Sequence, residues 1–230
     1  MQFETPLAPA RLVQRYKRFL ADVTLEDGRA ATAHCANSGS MMGLTTPGAR
    51  VWLSPNRNPK ARLAWRWELV EADGALVGIN TARPNRIVEE AILNGALAAL
   101  RGYAGLRREV AYGAGSRIDL LLEGPRPCFV EVKNVTLRRG EAAEFPDAVT
   151  TRGAKHLAEL ARQAQAGARA VMLYLVQRAD CAYLSIARDI DPAYGAALAD
   201  ARAAGVEVLS YWCRMSVDEI AIAGTMAQKL

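Results

Sequence analysis

The chain has 230 residues, with 29 Lys+Arg against 24 Asp+Glu, a net charge of +5 and 51% hydrophobic residues. That composition can bury a core and excludes wholesale disorder, and the length allows one large domain or two small ones. No apolar run nears the roughly 20 residues of a spanning helix, the first residues lack the basic and apolar regions of a secretory signal, and Cys35, Cys128, Cys181 and Cys213 form no C-x-x-C pair. No membrane span, zinc knuckle or disulfide scaffold is therefore expected, and the pattern fits a cytoplasmic protein.

The first third reads as strands. Residues 11–25 form one long run rich in Val, Leu, Tyr and Phe, Asp27-Gly28 is a turn signal, and 29–35 is the returning strand. Val51-Trp52-Leu53 is a short strand closed by the loop from Pro55 to Pro59. Residues 63–70 alternate with period two, placing Leu63, Trp65, Trp67 and Leu69 on one face and Arg66 and Glu68 on the other. Residues 76–79 return after Asp73-Gly74. Five short strands in about 80 residues suggest a small barrel or sandwich.

The pattern then changes. Pro84-Asn85 marks a boundary, and 86–100 reads as a helix with the stripe Val88, Ile92, Leu93, Ala96, Leu97 and Leu100. Strands are expected at 110–112, 117–122 and 129–135, a helix at 152–165, an unbroken apolar strand at 170–176, a short strand at 183–186, a helix at 194–204 and a strand at 206–212. An apolar run such as 170–176 belongs in the middle of a sheet covered on both faces. Residues from about 83 onward form an α/β domain.

Three segments concentrate chemistry: Ser116-Arg117-Ile118-Asp119-Leu120-Leu121-Leu122, Phe129-Val130-Glu131-Val132-Lys133, and the helix carrying Glu89 and Glu90. Strand residues two apart share a face, so Glu131 and Lys133 point together, and a hairpin brings Asp119 to Glu131. Two carboxylates about 4 Å apart repel by roughly 4 kcal/mol at an effective dielectric near 20. A divalent cation removes that repulsion, and Mg²⁺ takes one or two carboxylates plus substrate phosphate. The plain alternative is a rim ion pair with an edge charge beside it. Arg152, Lys155 and His156 open the second long helix, where basic side chains and free N–H groups suit a phosphate. Arg117 shares a face with Asp119, and Gln177-Arg178 closes the buried strand. Lys133 beside the acids fits phosphate better than the sugar chemistry of a carboxylate pair.

Between Arg29 and Trp67 the chain has six basic residues and no acid. Arg50, Arg57, Lys60, Arg62 and Arg66, with Trp52, Trp65 and Trp67 among them, look like a single-strand binding surface, on which bases stack while cations follow the backbone. Trp65 and Trp67 alternate like inward positions, so barrel core is the alternative for them.

The order helix, strand, Asp-bearing strand, E-x-K strand, helix, strand resembles the core of the PD-(D/E)xK nuclease superfamily. Nearly the whole chain resembles the sugar fermentation stimulation protein A family, through LVQRYKRFLADV at 12–23, SRID at 116–119, VEVKNVTL at 130–137, FPDAVT at 145–150 and RGAKHL at 152–157. The resemblance implies an α/β protein in two parts: a five-stranded OB-fold-like β-barrel over residues 1–82, and a restriction-endonuclease-like domain with a mixed central sheet over 83–230. It implies DNA binding with little sequence preference, to single-stranded or duplex DNA or to RNA, and a Mg²⁺ or Mn²⁺ site without an organic cofactor. It places the nuclease-like acids on Asp119, Glu131 and Glu90 and the lysine on Lys133. Helical periodicity sets Glu89 nearer the middle of the apolar stripe, so either acid is a candidate for the helix position. Two functions follow as expectations: phosphodiester hydrolysis, or a non-catalytic DNA-binding regulator of sugar metabolism genes with a vestigial site.

Overall fold

The computed structural model describes every residue except Pro59 and Ala114, so the end of the loop expected at 55–59 and the middle of Gly113-Ala114-Gly115 lie outside the described residues. The expected run 11–25 is two strands, β1 (Ala8–Tyr16) and β2 (Leu20–Leu25). Lys17 and Arg18 take φ of +48° and +63° and turn the chain between them, a conformation that propensity does not announce at Lys or Arg. Next come β3 (Ala30–Cys35), β4 (Arg50–Pro55), β5 (Trp65–Ala72) and β6 (Ala75–Gly78). Antiparallel pairs β1–β2, β2–β3, β1–β4 and β4–β5, with β3 parallel to β5, close five strands into a barrel, and β6 continues from β5. Closure removes the strand edges. Leu12, Val23, Ala33, Val51, Leu53 and Trp67 fill the barrel.

The expected alternation along β5 holds only in part. Trp67 and Leu69 are buried and Trp65 is half-buried, but Glu68 is buried as well. The β4–β5 ladder shifts between Trp52 and Leu53, and the second domain covers the outer face there. Trp67 belongs to the barrel core, whereas Leu69 and Trp52 pack with the second domain.

Helix α1 (Pro84–Leu93) begins with Pro at its first turn, where the missing N–H has no helical partner to lose. The helix expected to reach residue 100 stops at Leu93: Asn94 caps it and Gly95 follows at φ +73°. Only a short 3₁₀ turn, Ala98–Leu100, recovers the later apolar residues.

The central sheet is built from β7 (Gly105–Tyr112), β8 (Ser116–Glu123) and β9 (Cys128–Val135). After β10 (Leu137–Arg139), β11 (Ala142–Phe145) and helix α2 (Thr151–Gln165), it gains β12 (Arg169–Val176). It is completed, after β13 (Tyr183–Ile186) and helix α3 (Pro192–Ala203), by β14 (Glu207–Met215) and β15 (Ile220–Thr225). Its order is β15-β14-β12-β9-β8-β7, mixed, with β12 parallel to both neighbours. β12 is the buried middle strand: Val171, Leu173 and Leu175 join the core on the α1 side, and Met172, Tyr174 and Val176 that on the α2–α3 side. A four-stranded sheet of β10, β11, β13 and β16 (Ala227–Lys229) lies beside it. The strands β10, β11, β15 and β16 were not expected from the sequence. A helix-turn-helix around 201–215 is excluded, since β14 occupies most of that stretch. Among the described residues no helix is long and apolar enough to cross a membrane.

The barrel and the sheet share backbone. The Gly78 N–H donates to the Gln177 carbonyl at 2.9 Å, just past the end of β12. Buried Arg178 bridges Asp180, the Thr136 carbonyl and Asp73 in the β5–β6 turn.

Candidate metal and phosphate site

β8 and β9 pair as an antiparallel hairpin with Leu120 opposite Val130. One step on, the ladder opens at Asp119. Its carboxylate replaces the missing strand contact, taking the Val132 N–H at 2.7 Å and the Asn85 amide of α1 at 2.8 Å. Alternation breaks here too: Ile118 joins the α2-side core, while Leu120 and Leu122 join the α1 side. Across the β7–β8 ladder, at the register position facing Asp119, Glu109 takes φ +52°, a strained conformation for a non-glycine residue. Burial first, and then the charge of Glu131, push the Asp119 carboxyl up to about 6 against the Val132 and Asn85 hydrogen bonds.

Glu131 and Lys133 share the face of β9 that meets α2. Lys133 Nζ lies 2.7 Å from Glu131 Oε1, and His156 Nδ1 bonds the same oxygen. Burial alone would raise the Glu131 carboxyl, but the His156 hydrogen bond and the Lys133 charge outweigh it and hold the group below its usual range. Arg152 Nε donates to His156 Nε2 at 3.2 Å. A guanidinium can only donate, so Nε2 accepts and the imidazole proton sits on Nδ1, facing Glu131. Among the described residues, Glu131 Oε2 is left buried with no hydrogen-bond partner, an uncommon state for a carboxylate oxygen.

These groups open into a cleft of about 410 Å³ between the sheet and the barrel. Asn85, Asp119, Glu131, Lys133, Arg152 and His156 line one side, and Asn37, Ser38 and Gly39 the other. Across it Asp147 accepts the Met41 N–H at 3.0 Å, and Ser40 Oγ donates to its carbonyl at 2.6 Å. Gly39 is required at this crossing, since a Cβ there would lie 2.5 Å from Asp147 Oδ2. Arg15 fixes the same loop through the carbonyls of Asn37, Gly39 and Ser40. On α2 the Thr150 hydroxyl caps the Gly153 N–H, and Asp191 takes the Thr150 N–H, which seats Arg152 and His156 at the cleft.

The donor set fits a divalent cation: two carboxylates, one with an orphaned buried oxygen, beside the half-buried Lys133. It is a set of two acids, not three. Glu90 is a correction to the sequence reading. Its side chain is 49% exposed, pairs with the Met1 amino group at 3.1 Å, and lines a different depression with Glu89. Glu89 pairs with Arg108. The helix register explains the error. Pro84, Ile87, Val88 and Ala91 are buried while Leu93 is 71% exposed, which turns both glutamates away and sends Asn85 to Asp119. Among the described residues, no three metal-ligating side chains converge.

The other sequence candidates separate in space. Arg152 lines the cleft. Arg117 lies on the Glu109 carbonyl, outside the cleft lining, and Lys155 pairs with Glu159 at 3.8 Å. Trp52 is a correction: it is buried in the core shared by barrel and sheet, with the Arg50 guanidinium 5.1 Å from its ring centroid, and no base can stack on it. Arg57 pairs with Glu4, and Lys60 is exposed. Arg62 and Arg66 line a second cavity, on the barrel. Asn85 is a site residue that the sequence marks only as a boundary: its bond to Asp119 spans 34 residues and depends on how α1 docks on the sheet.

Comparison with known proteins agrees along the chain. The family model described as the SfsA N-terminal OB domain matches residues 13–79, and that described as the Sugar fermentation stimulation protein RE domain matches residues 82–219. A sugar fermentation stimulation protein homolog of Rhodospirillum centenum is 62% identical, with 98% of each chain covered. That of Paramagnetospirillum magneticum is 57% identical, over 100% of this chain and 98% of its own. The solved structure of Pyrococcus furiosus SfsA in complex with Ca²⁺ superposes with a TM-score of 0.92 at 27% identity, covering 100% of this chain and 98% of that one. With an OB barrel joined to an RE domain over its whole length, this chain belongs to the sugar fermentation stimulation protein family.

Proposed function

We propose that the chain binds nucleic acid in the cleft between barrel and sheet and hydrolyses phosphodiester bonds with a divalent metal. The observation that carries this reading is the pair Asp119 and Glu131. Both are held at the opening of one hairpin, with Glu131 Oε2 unpartnered and Lys133 2.7 Å from the other Glu131 oxygen. The complex of the Pyrococcus furiosus relative with Ca²⁺ supports a divalent cation as the occupant. For hydrolysis we favour Mg²⁺ or Mn²⁺, which would polarise a phosphoryl oxygen and activate water. Asp119 and Glu131 would hold the ion. Asn85 and the Val132 N–H orient Asp119, and His156, itself fixed by Arg152, orients Glu131. Lys133 stabilises negative charge that develops on the phosphate, and Arg152 at the start of α2 faces the backbone. The net charge of +5 suits a polyanion.

The test is a panel of labelled single-stranded DNA, duplex DNA and RNA incubated with Mg²⁺, Mn²⁺ or EDTA. Wild type is expected to cut in metal alone, with Asp119→Asn, Glu131→Gln and Lys133→Ala each slower by about 10²–10³-fold. The second reading, a non-catalytic DNA-binding regulator of sugar metabolism genes, draws on the Glu90 geometry: α1 brings no third acid to the site. Metal-dependent binding with no cutting of any substrate would favour it.

A further inference from the structure

A second cavity, of about 490 Å³, lies on the barrel. Ala61, Leu63 and Ala82 give it apolar walls, and His34, Arg62 and Arg66 give it polar ones. Arg66 is steadied by Asn56 at 2.9 Å, and the His34 ring stacks on Phe19. Arg62 is exposed. A flat apolar ring with anionic groups at its edge matches this lining. Apolar walls take the face of a base, an Arg plane can stack on it, and a second guanidinium meets phosphate.

The position of the cavity matters as much as its chemistry. Residues 36–37 and 80–82 run side by side, joined by Thr81 N–H and Oγ1 to the Ala36 carbonyl at 3.0 and 2.6 Å. Asn37 donates to the Ile79 carbonyl at 3.0 Å. Ala36 and Ala82 face the barrel cavity, whereas Asn37 and Thr81 face the acid cleft. One ridge, two chain segments thick, therefore separates the two depressions.

We propose that the two depressions are successive subsites for one single-stranded nucleic acid: an unpaired base enters the barrel cavity, and the backbone crosses the ridge to place a phosphate at Asp119 and Glu131. This rests on the nucleic-acid reading above and adds its substrate class. A base in a duplex is stacked and paired, so neither its face nor its edge is free for such a cavity, whereas an unpaired base offers both.

The test is binding of a fluorescein-labelled oligothymidylate and of a duplex of equal length, each titrated across salt, for wild type, Arg62→Ala/Arg66→Ala and Ala82→Glu. Ala82 is exposed, so its variant probes the cavity without unpacking a core. Circular dichroism and Mn²⁺ titration of each variant report on fold and acid site. The expected result is tighter binding of the single strand by wild type and at least tenfold weaker single-strand binding by both variants. The double variant should also lower the log–log salt slope by about 0.7, the share of its one lost phosphate contact. Mn²⁺ binding should not change. Single-strand binding that both variants leave intact, or equal affinity for duplex, overturns this inference while the nucleic-acid reading stands. No binding of either probe by wild type overturns both.

Discussion

Asp119 is the residue whose ionisation the site must manage. Its folded carboxyl titrates near 6, above the ordinary 3.8. The folded chain without metal therefore keeps a proton that the unfolded chain releases, and this contribution to stability is lost as pH rises from about 4 to about 6. A divalent cation competes with that proton, so metal affinity should climb over the same window and level off above it. We expect the melting temperature in EDTA to fall across that window in wild type, with the slope reduced in Asp119→Asn. Metal at about 100 times its Kd should add about 2.7 kcal/mol to wild type at pH 7 and little to the variant. Thermal melts against pH, with and without Mn²⁺, check both, and an unchanged slope in Asp119→Asn would remove the assignment. The acids and the lysine were legible because an Asp-bearing strand followed by E-x-K is rare chemistry inside apolar strands. His156 was legible only as a phosphate contact, because its bond to Glu131 spans 25 residues and depends on how α2 docks.

At the scale of elements, patterning located most strands and misjudged their ends and faces. Residues 11–25 looked continuous because nothing in Lys17-Arg18 signals a turn. Apolar residues continue past Gly95, so the α1 stripe reads through Leu93 to Leu100 and that register sets Glu89 near its middle, whereas the resemblance sets Glu90 at the site; the helix turns both away from it. Alternation groups Glu68 with Arg66 on the face opposite Trp65 and Trp67, yet Arg66 is exposed and Glu68 is buried. Its carboxylate accepts from Ser54, Asn80 and Arg83, at 2.7, 2.9 and 2.5 Å. Arg83 precedes α1, so this buried pair pins the end of the barrel to the first helix. Removing one partner strands a charge. Arg83→Met should destabilise by about 3–5 kcal/mol, and Glu68→Gln/Arg83→Met by clearly less. Urea unfolding of both variants decides it, with additive losses counting against a coupled pair.

At the scale of the molecule, an OB-like barrel joined to a nuclease-like α/β part was readable from strand spacing and family resemblance, but the way they join was not. Their seam is made of contacts that no local pattern reports: Gly78 on Gln177, Arg178 on Asp73, and the barrel loop at 37–41 on Asp147. Asp147→Ala should free that loop. We expect faster hydrogen exchange at the Met41 amide and a loss of about 1.5–3 kcal/mol, the range for hydrogen bonds to a charged group. Mn²⁺ titration at the Asp119 site should be nearly unaltered, because Asp147 touches neither Asp119 nor Glu131. An unchanged Met41 exchange rate would mean that Arg15 and the Ser40 bond to the Asp147 backbone carbonyl hold the loop without the carboxylate.

The Arg178–Asp73 contact joins residues 105 positions apart. On a ribosome adding on the order of 10 residues per second, the barrel strands emerge well before the strand that ends at Arg178. For several seconds the β5–β6 turn has no guanidinium to meet, and the Gly78 amide has no Gln177 carbonyl. The ridge and both depressions then lack the support of the seam, so the nascent barrel is a less ordered object than the finished one. The acids of the hairpin likewise leave the ribosome before His156 can reach Glu131, so the surroundings of that carboxylate are complete only once α2 has been made.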